Sequence, residues 1–107
     1  MSKTVLGEFE HQVLLAVLRL GDDAYSVPVV MELEERTGRE VAPAAVYIAL
    51  RRMEEKGLAR SELRTPDEGG RSRRYVSVTP AGLEQLRESR RRFVSLWDGL
   101  DPVLDEG

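Results

Sequence analysis

The chain has 107 residues, a formal net charge of −3 and no cysteine. This length supports one domain with a single modest core, and the absence of cysteine excludes a disulfide framework and a thiolate metal cage. The longest apolar run, Val13 to Leu18, is far too short for a bilayer span, and Glu8 and Glu10 stand where a signal peptide would be apolar, so the expectation is a soluble cytoplasmic protein without a membrane partner.

The stretch "EFEHQVLLAVLRL", residues 8–20, carries Phe9, Val13, Ala16, Val17 and Leu20 at helical spacing and adds Leu14, Leu15 and Leu18 on its other sides. A helix apolar on most sides is covered on most sides, which points to contact with a second chain. Gly21, Asp22 and Asp23 close it as a turn.

A second helix is predicted in "YSVPVVMELEERTG", capped by Ser26 or Val27 with Pro28 in the first turn. Val29, Val30 and Leu33 face inward, Glu32 and Arg36 can pair four apart, and Gly38 is the stop. A third helix follows within a few residues in "APAAVYIALRRMEEKGL", opening on Pro43 and ending at Gly57, and two helices so closely joined form a helix-turn-helix candidate. Helical periodicity buries Val46, Ala49, Leu50 and Met53 and turns Ala44, Tyr47, Ile48, Arg51 and Glu55 outward or to the border. Taken singly, Ile48 reads as an ordinary surface apolar residue, and Arg51 has two uses, a guanine edge or an ion pair with Glu55.

Beyond Gly57 the period changes to two. "LARSELRT" and "RRYVSVT" alternate as strands, and "PDEGGRS" between them is turn chemistry, so a β-hairpin is expected. Charge gathers here. Residues 1–40 hold four basic and eight acidic residues (net −4), residues 51–74 eight and five (+3), and residues 75–107 four and six (−2). A local positive block inside an acidic chain points to a polyanionic partner, although arginine runs alone are commonly solvated surface.

"TPAG" opens a last helix with Thr79 as cap and Pro80 at the first position. Leu83, Leu86, Arg90, Phe93, Trp97 and Leu100 recur at intervals of 3, 4, 3, 4 and 3, a heptad-like seam with one charged slot. The seam fits a helix of a second subunit or the chain's own core, and residues from Asp98 on read as a frayed acidic tail.

No enzyme signature is present. His11, the only histidine, has no cysteine or serine–acid arrangement around it, the adjacent pairs Glu34/Glu35 and Glu54/Glu55 point different ways on a helix, and no phosphate-binding glycine loop occurs. No cofactor and no metal site is expected.

Helix, helix, helix, hairpin, helix is the order of a winged helix-turn-helix. The stretch "AVYIALRRMEEKGLARSE" followed by "GGRSRRYVSVTPAGLEQL" resembles the PadR family of bacterial transcriptional regulators, and "LGEFEHQVLLAVLRLG" and "AYSVPVVMELEERTG" are similar to that family's first two helices. The resemblance implies a mainly α fold with a small β-hairpin: a winged helix-turn-helix over residues 1–79 and a C-terminal dimerisation helix with an acidic tail over residues 80–107. It also implies a homodimer on double-stranded DNA, usually a repressor, with the third helix in the major groove and the wing on an adjacent backbone or minor groove. Tyr47 matches the family's recognition-helix tyrosine, and Gly69, Gly70, Arg71, Arg73, Arg74 and Tyr75 match its wing.

The short C-terminus resembles the branch in which the first and last helices form the dimer interface. Leu14, Leu18, Leu86, Phe93, Trp97 and Leu100 are the residues expected there. Some relatives hold a small aromatic effector near such aromatics; tryptophan is also a common interface anchor, and that reading is favoured here. The chain departs from the family at Ala42, Pro43, Ala44 and Ala45, where a serine cap and a glycine are usual. If the helix start still reads bases, alanine methyls and Ile48 would do so against thymine methyls. The rival function is a winged-helix protein-interaction module without sequence-specific DNA readout, which would not need three arginines beside two glycines.

Overall fold

The apolar stripe of the first predicted helix winds into α1 (Glu8–Leu20), which a 3-10 turn (Gly21–Asp23) follows. After it come α2 (Ser26–Thr37), α3 (Pro43–Glu55), β1 (Ala59–Arg64), β2 (Arg73–Val78), α4 (Pro80–Trp97) and α5 (Asp101–Asp105). The computed structural model describes residues 6–105. The architecture is mainly α with one antiparallel hairpin. Val13, Leu14 and Val17 of α1, Val29 and Leu33 of α2, and Val46, Leu50 and Met53 of α3 fill the core, which Leu58 and Val76 close from the hairpin side and Leu86 from α4.

Local chemistry sets most boundaries. Gly38 ends α2 in the left-handed region, and Arg36 Nε reaches Glu32 Oε2 at 2.7 Å, as the four-residue spacing predicts. Thr79 Oγ1 accepts from Gly82 N at 3.0 Å to cap α4, and donates to the Gly57 carbonyl at 2.7 Å. In the hairpin, Ala59 pairs with Val78, Ser61 with Val76, Glu62 with Tyr75 and Arg64 with Arg73. Val76 N also donates to Ala24 O at 2.8 Å, which ties β2 to the segment entering α2.

Three expectations are corrected. The cap of α2 is neither Ser26 nor Val27 but Tyr25, whose extended backbone presents the carbonyl that Val29 N reaches at 3.2 Å. Leu14 and Leu86 are not free for a second subunit: both are buried within the chain itself, with exposures of 0% and 7%. The last helix does not carry the seam on to Leu100, because α4 ends at Trp97 and Gly99, at φ 82°, redirects the chain into α5 instead of a frayed tail.

Candidate nucleic-acid interface

The outer face of α3 is open. Tyr47 is 55% and Ile48 51% exposed, and Ala44, Arg51 and Glu55 are exposed beside them, while Val46, Ala49, Leu50 and Met53 are buried on the opposite side. Ala42 caps the helix without a side-chain bond, and its carbonyl takes Ala45 N at 3.0 Å and Val46 N at 3.3 Å. Arg51 has no hydrogen bond or ion pair among the described residues, so the pairing with Glu55 does not form.

At the wing, Gly69 N turns back to Pro66 O at 2.9 Å, and Gly69 and Gly70 take φ of 87° and 97°. Only glycine adopts such angles without strain. Nothing lies within 4 Å of where a Cβ would stand at either position, so the tip is bare backbone facing solvent. Thr65 Oγ1 and Ser72 Oγ, 3.0 Å apart, brace the base of the loop.

The wing arginines, equal in the sequence, are unequal in the fold. Arg71 is exposed and has no partner among the described residues. Arg73 lies 4.7 Å from the centroid of the Tyr25 ring, and its Nη1 is 3.5 Å from the Tyr75 hydroxyl, the contact that chiefly raises its already high pKa. Arg74 donates to Ser61 Oγ at 3.1 Å, and Ser61 in turn donates to Glu54 Oε1 at 2.6 Å. Tyr25 and Tyr75 meet edge to face with centroids 5.3 Å apart, and the Arg64 guanidinium lies 3.9 Å from the Tyr75 centroid. A continuous chain Arg64–Tyr75–Tyr25–Arg73, two rings between two guanidiniums, thus links the hairpin to the residue before α2.

Tyr47, Arg51, Arg71, Arg73 and Arg74 come together around one cleft of about 480 Å³ between α3 and the wing, with Glu54 as its acidic wall. Tyr75 is not among its walls and instead lines a neighbouring depression with Arg60 and Arg64. Ala44 lines a separate apolar groove with Val27, Met31 and Pro43, and Tyr47 borders both. Sequence reasoning missed Tyr25, Arg64 and Glu54, whose contacts cross between elements and leave no local pattern; a correct hairpin register could have pointed to Arg64 alone.

Residues 14–88 match the Transcriptional regulator PadR-like family. The chain belongs to the PadR-like family. A PadR-like regulator from Bacillus cereus has a similar structure, with a TM-score of 0.75 over 90% of each chain at 23% identity. A PadR family regulator from Eggerthella lenta superposes with a TM-score of 0.68, covering 89% of this chain and 82% of that one at 29% identity. The transcriptional regulator Rv3488 of Mycobacterium tuberculosis is 44% identical over 61 residues, which are 57% of this chain and 55% of that relative, so the match spans about half its length.

In this PadR-like regulator the remaining residues of interest lie on α1, on α4 and in the link from α4 to α5. Leu18, Phe93, Trp97 and Leu100 are 43–59% exposed, and the Phe93 and Trp97 rings meet edge to face at 6.3 Å. Phe93 also borders a cavity of about 510 Å³ with Leu6, His11, Leu15 and Ser89, which Trp97 does not line. His11 Nδ1 and Ser89 Oγ are 2.7 Å apart in a part-buried contact of α1 with α4, and burial lowers the histidine pKa from its ordinary 6.5. Among the described residues no cluster of His, Asp or Glu is placed to hold a metal ion, and no helix is long and apolar enough to cross a membrane.

Proposed function

We propose that this PadR-like regulator binds double-stranded DNA sequence-specifically as a homodimer and represses transcription by occupying an inverted-repeat operator. The observation that carries this reading is the cleft in which Tyr47 and Arg51 of α3 share walls with Arg71, Arg73 and Arg74 of the wing. A helix with an exposed face enters a major groove, and a glycine tip with arginines beside it approaches a phosphate backbone closely and supplies charge and forked donors. Phosphate contacts position the protein and carry no sequence information, so discrimination falls to Ala44, Tyr47, Ile48 and Arg51 or to DNA shape.

The dimer rests on apolar surface that the chain leaves uncovered. Leu15 and Leu18 of α1, Phe93, Val94, Leu96 and Trp97 of α4, and Val103 and Leu104 of α5 are all exposed. So much exposed aliphatic and aromatic surface on neighbouring helices suits a partner helix pair. On this reading residues 1–79 are the DNA-binding unit and residues 80–107 the dimerisation segment. A two-fold axis then presents two α3 helices roughly 34–36 Å apart, one turn of DNA, and a protein seated there keeps polymerase from an overlapping promoter. The cavity beside Phe93 is the place where a small aromatic effector would alter the pairing of α1 and α4.

The test is selection of duplexes from a random library by the purified full chain, followed by titration of the winner over a salt series. An inverted repeat recovered with affinity falling steeply in salt is the expected result. Weak binding that ignores sequence would overturn it in favour of a protein-interaction module.

A further inference from the structure

The first turns of α3 present almost nothing that can form a hydrogen bond. Ala44 and Ile48 sit one turn apart on the open face, Ile48 is 51% exposed, and Tyr47 is the sole polar side chain among exposed residues 42–50 of the helix and its cap. This face does not end at the helix. Ala44 and Tyr47 continue into the apolar groove walled by Val27, Met31 and Pro43, and Val27 and Met31 are 57% and 63% exposed. On its other side Tyr47 borders the arginine cleft. An apolar surface is therefore continuous with the arginine cleft.

Resting on the DNA-binding reading above, we propose that Ala44 and Ile48 read the C5-methyl groups of thymines in the operator half-site, so that sequence is discriminated mainly by methyl packing at this end of α3. The arginine cleft supplies the reason that the occupant is DNA. A polyanion held by the wing arginines of the cleft brings its groove floor against the neighbouring Tyr47, Ala44 and Ile48. In a major groove the thymine methyl is the one apolar group a base pair offers, and alanine and isoleucine can pack on it but cannot bond guanine, cytosine or adenine edges. Arg51, nearly two turns beyond Ala44 and less than one beyond Ile48, has no partner among the described residues and is left as the donor for a purine edge in the same half-site.

The experiment replaces thymine by deoxyuridine, one position at a time, in the duplex recovered from the library, and measures binding of the full chain at fixed salt. Deoxyuridine keeps every hydrogen-bonding group of thymine and removes only the methyl. At one or two positions per half-site the native chain is expected to bind about fourfold more weakly, corresponding to ~0.8 kcal/mol for a buried methyl. The Ile48→Ala chain should bind the thymine duplex more weakly and show less than twofold further loss with deoxyuridine, because the partner of the methyl is already gone. Ile48 is half exposed, so the substitution spares the core. Sequence-specific binding that tolerates deoxyuridine at every position would overturn the methyl reading alone. Failure to recover any specific duplex would overturn it together with the DNA-binding reading.

Discussion

The rings of Tyr25 and Tyr75 meet edge to face at 5.3 Å, joining the residue that precedes α2 to the middle of β2. Arg73 stacks on the Tyr25 side of this pair and Arg64 on the Tyr75 side. An edge-to-face pair contributes about 0.5–1.5 kcal/mol and an exposed cation–π contact about 0.5–1 kcal/mol. The pair therefore orients the wing and limits where Arg73 can point.

Tyr25→Leu removes the ring and both its contacts. Binding to the selected duplex is expected to weaken about threefold to tenfold, with thermal stability lowered by roughly 1 kcal/mol. Tyr25→Phe keeps the ring and should bind within about twofold of the native chain. Equal losses in both variants, followed by duplex titration and melting, would show that the hydroxyl and not the ring matters.

The three wing arginines should not behave alike. Among the described residues Arg71 has no partner to give up, whereas Arg74 is already engaged through Ser61 with Glu54. Arg71→Ala is expected to lower affinity at physiological salt and to reduce the slope of log K against log salt by about 1, as follows when one phosphate is no longer neutralised. Arg74→Ala should change that slope by less than half as much. A salt series on both variants distinguishes a free charge from a tethered one, and identical slopes would contradict the division drawn from the hydrogen bonds.

Gly82 is needed for reasons of space. A Cβ at this position would stand 2.1 Å from the Leu58 carbonyl oxygen and 2.7 Å from a Val78 methyl, where α4 crosses the start of the hairpin. Backbone cannot step aside as a side-chain end can. Gly82→Ala, favourable in an exposed helix, is expected here to cost about 1–3 kcal/mol by overpacking. Urea unfolding measures it, and a neutral or stabilising result would mean that α4 can lift from Leu58 freely.

His11 makes stability depend on pH. Burial disfavours its charged form, so its folded pKa lies below the ordinary 6.5 and the unfolded chain binds the proton more readily. Its contribution is thus fully present above pH 6.5 and is lost as pH falls through that value toward the folded pKa. The midpoint of thermal unfolding should drop as pH falls below about 6.5, before ordinary carboxylates titrate. His11→Gln, which can still bond Ser89, should flatten that window. A slope unchanged in the variant would assign the effect to other groups.

The positions of α1, α2, α3 and the two strands, the Thr79 cap and the Glu32–Arg36 pair were all legible in the sequence. Each depends on residues within about one turn or one strand of each other, and periodicity, caps and turn glycines act over that range. The outward face of α3 followed from the same periodicity, as did the gathering of arginines at the wing. The family resemblance placed both in one fold.

Only tertiary structure assigned partners across elements. Leu14 and Leu18 look alike in a helical pattern, yet one is buried in the core and the other is 45% exposed, because burial depends on which helices cross at each site. Arg71 and Arg74 look alike in "GGRSRRY", yet the register opposite β1 sets Arg74 beside Ser61 and leaves Arg71 on the loop. Tyr25 carries no mark of its role until Ala24 is bonded to Val76 and the two rings are brought face to edge. Local preferences determined the elements; the meeting of distant surfaces in one small core decided which side chains are occupied and which remain free to bind.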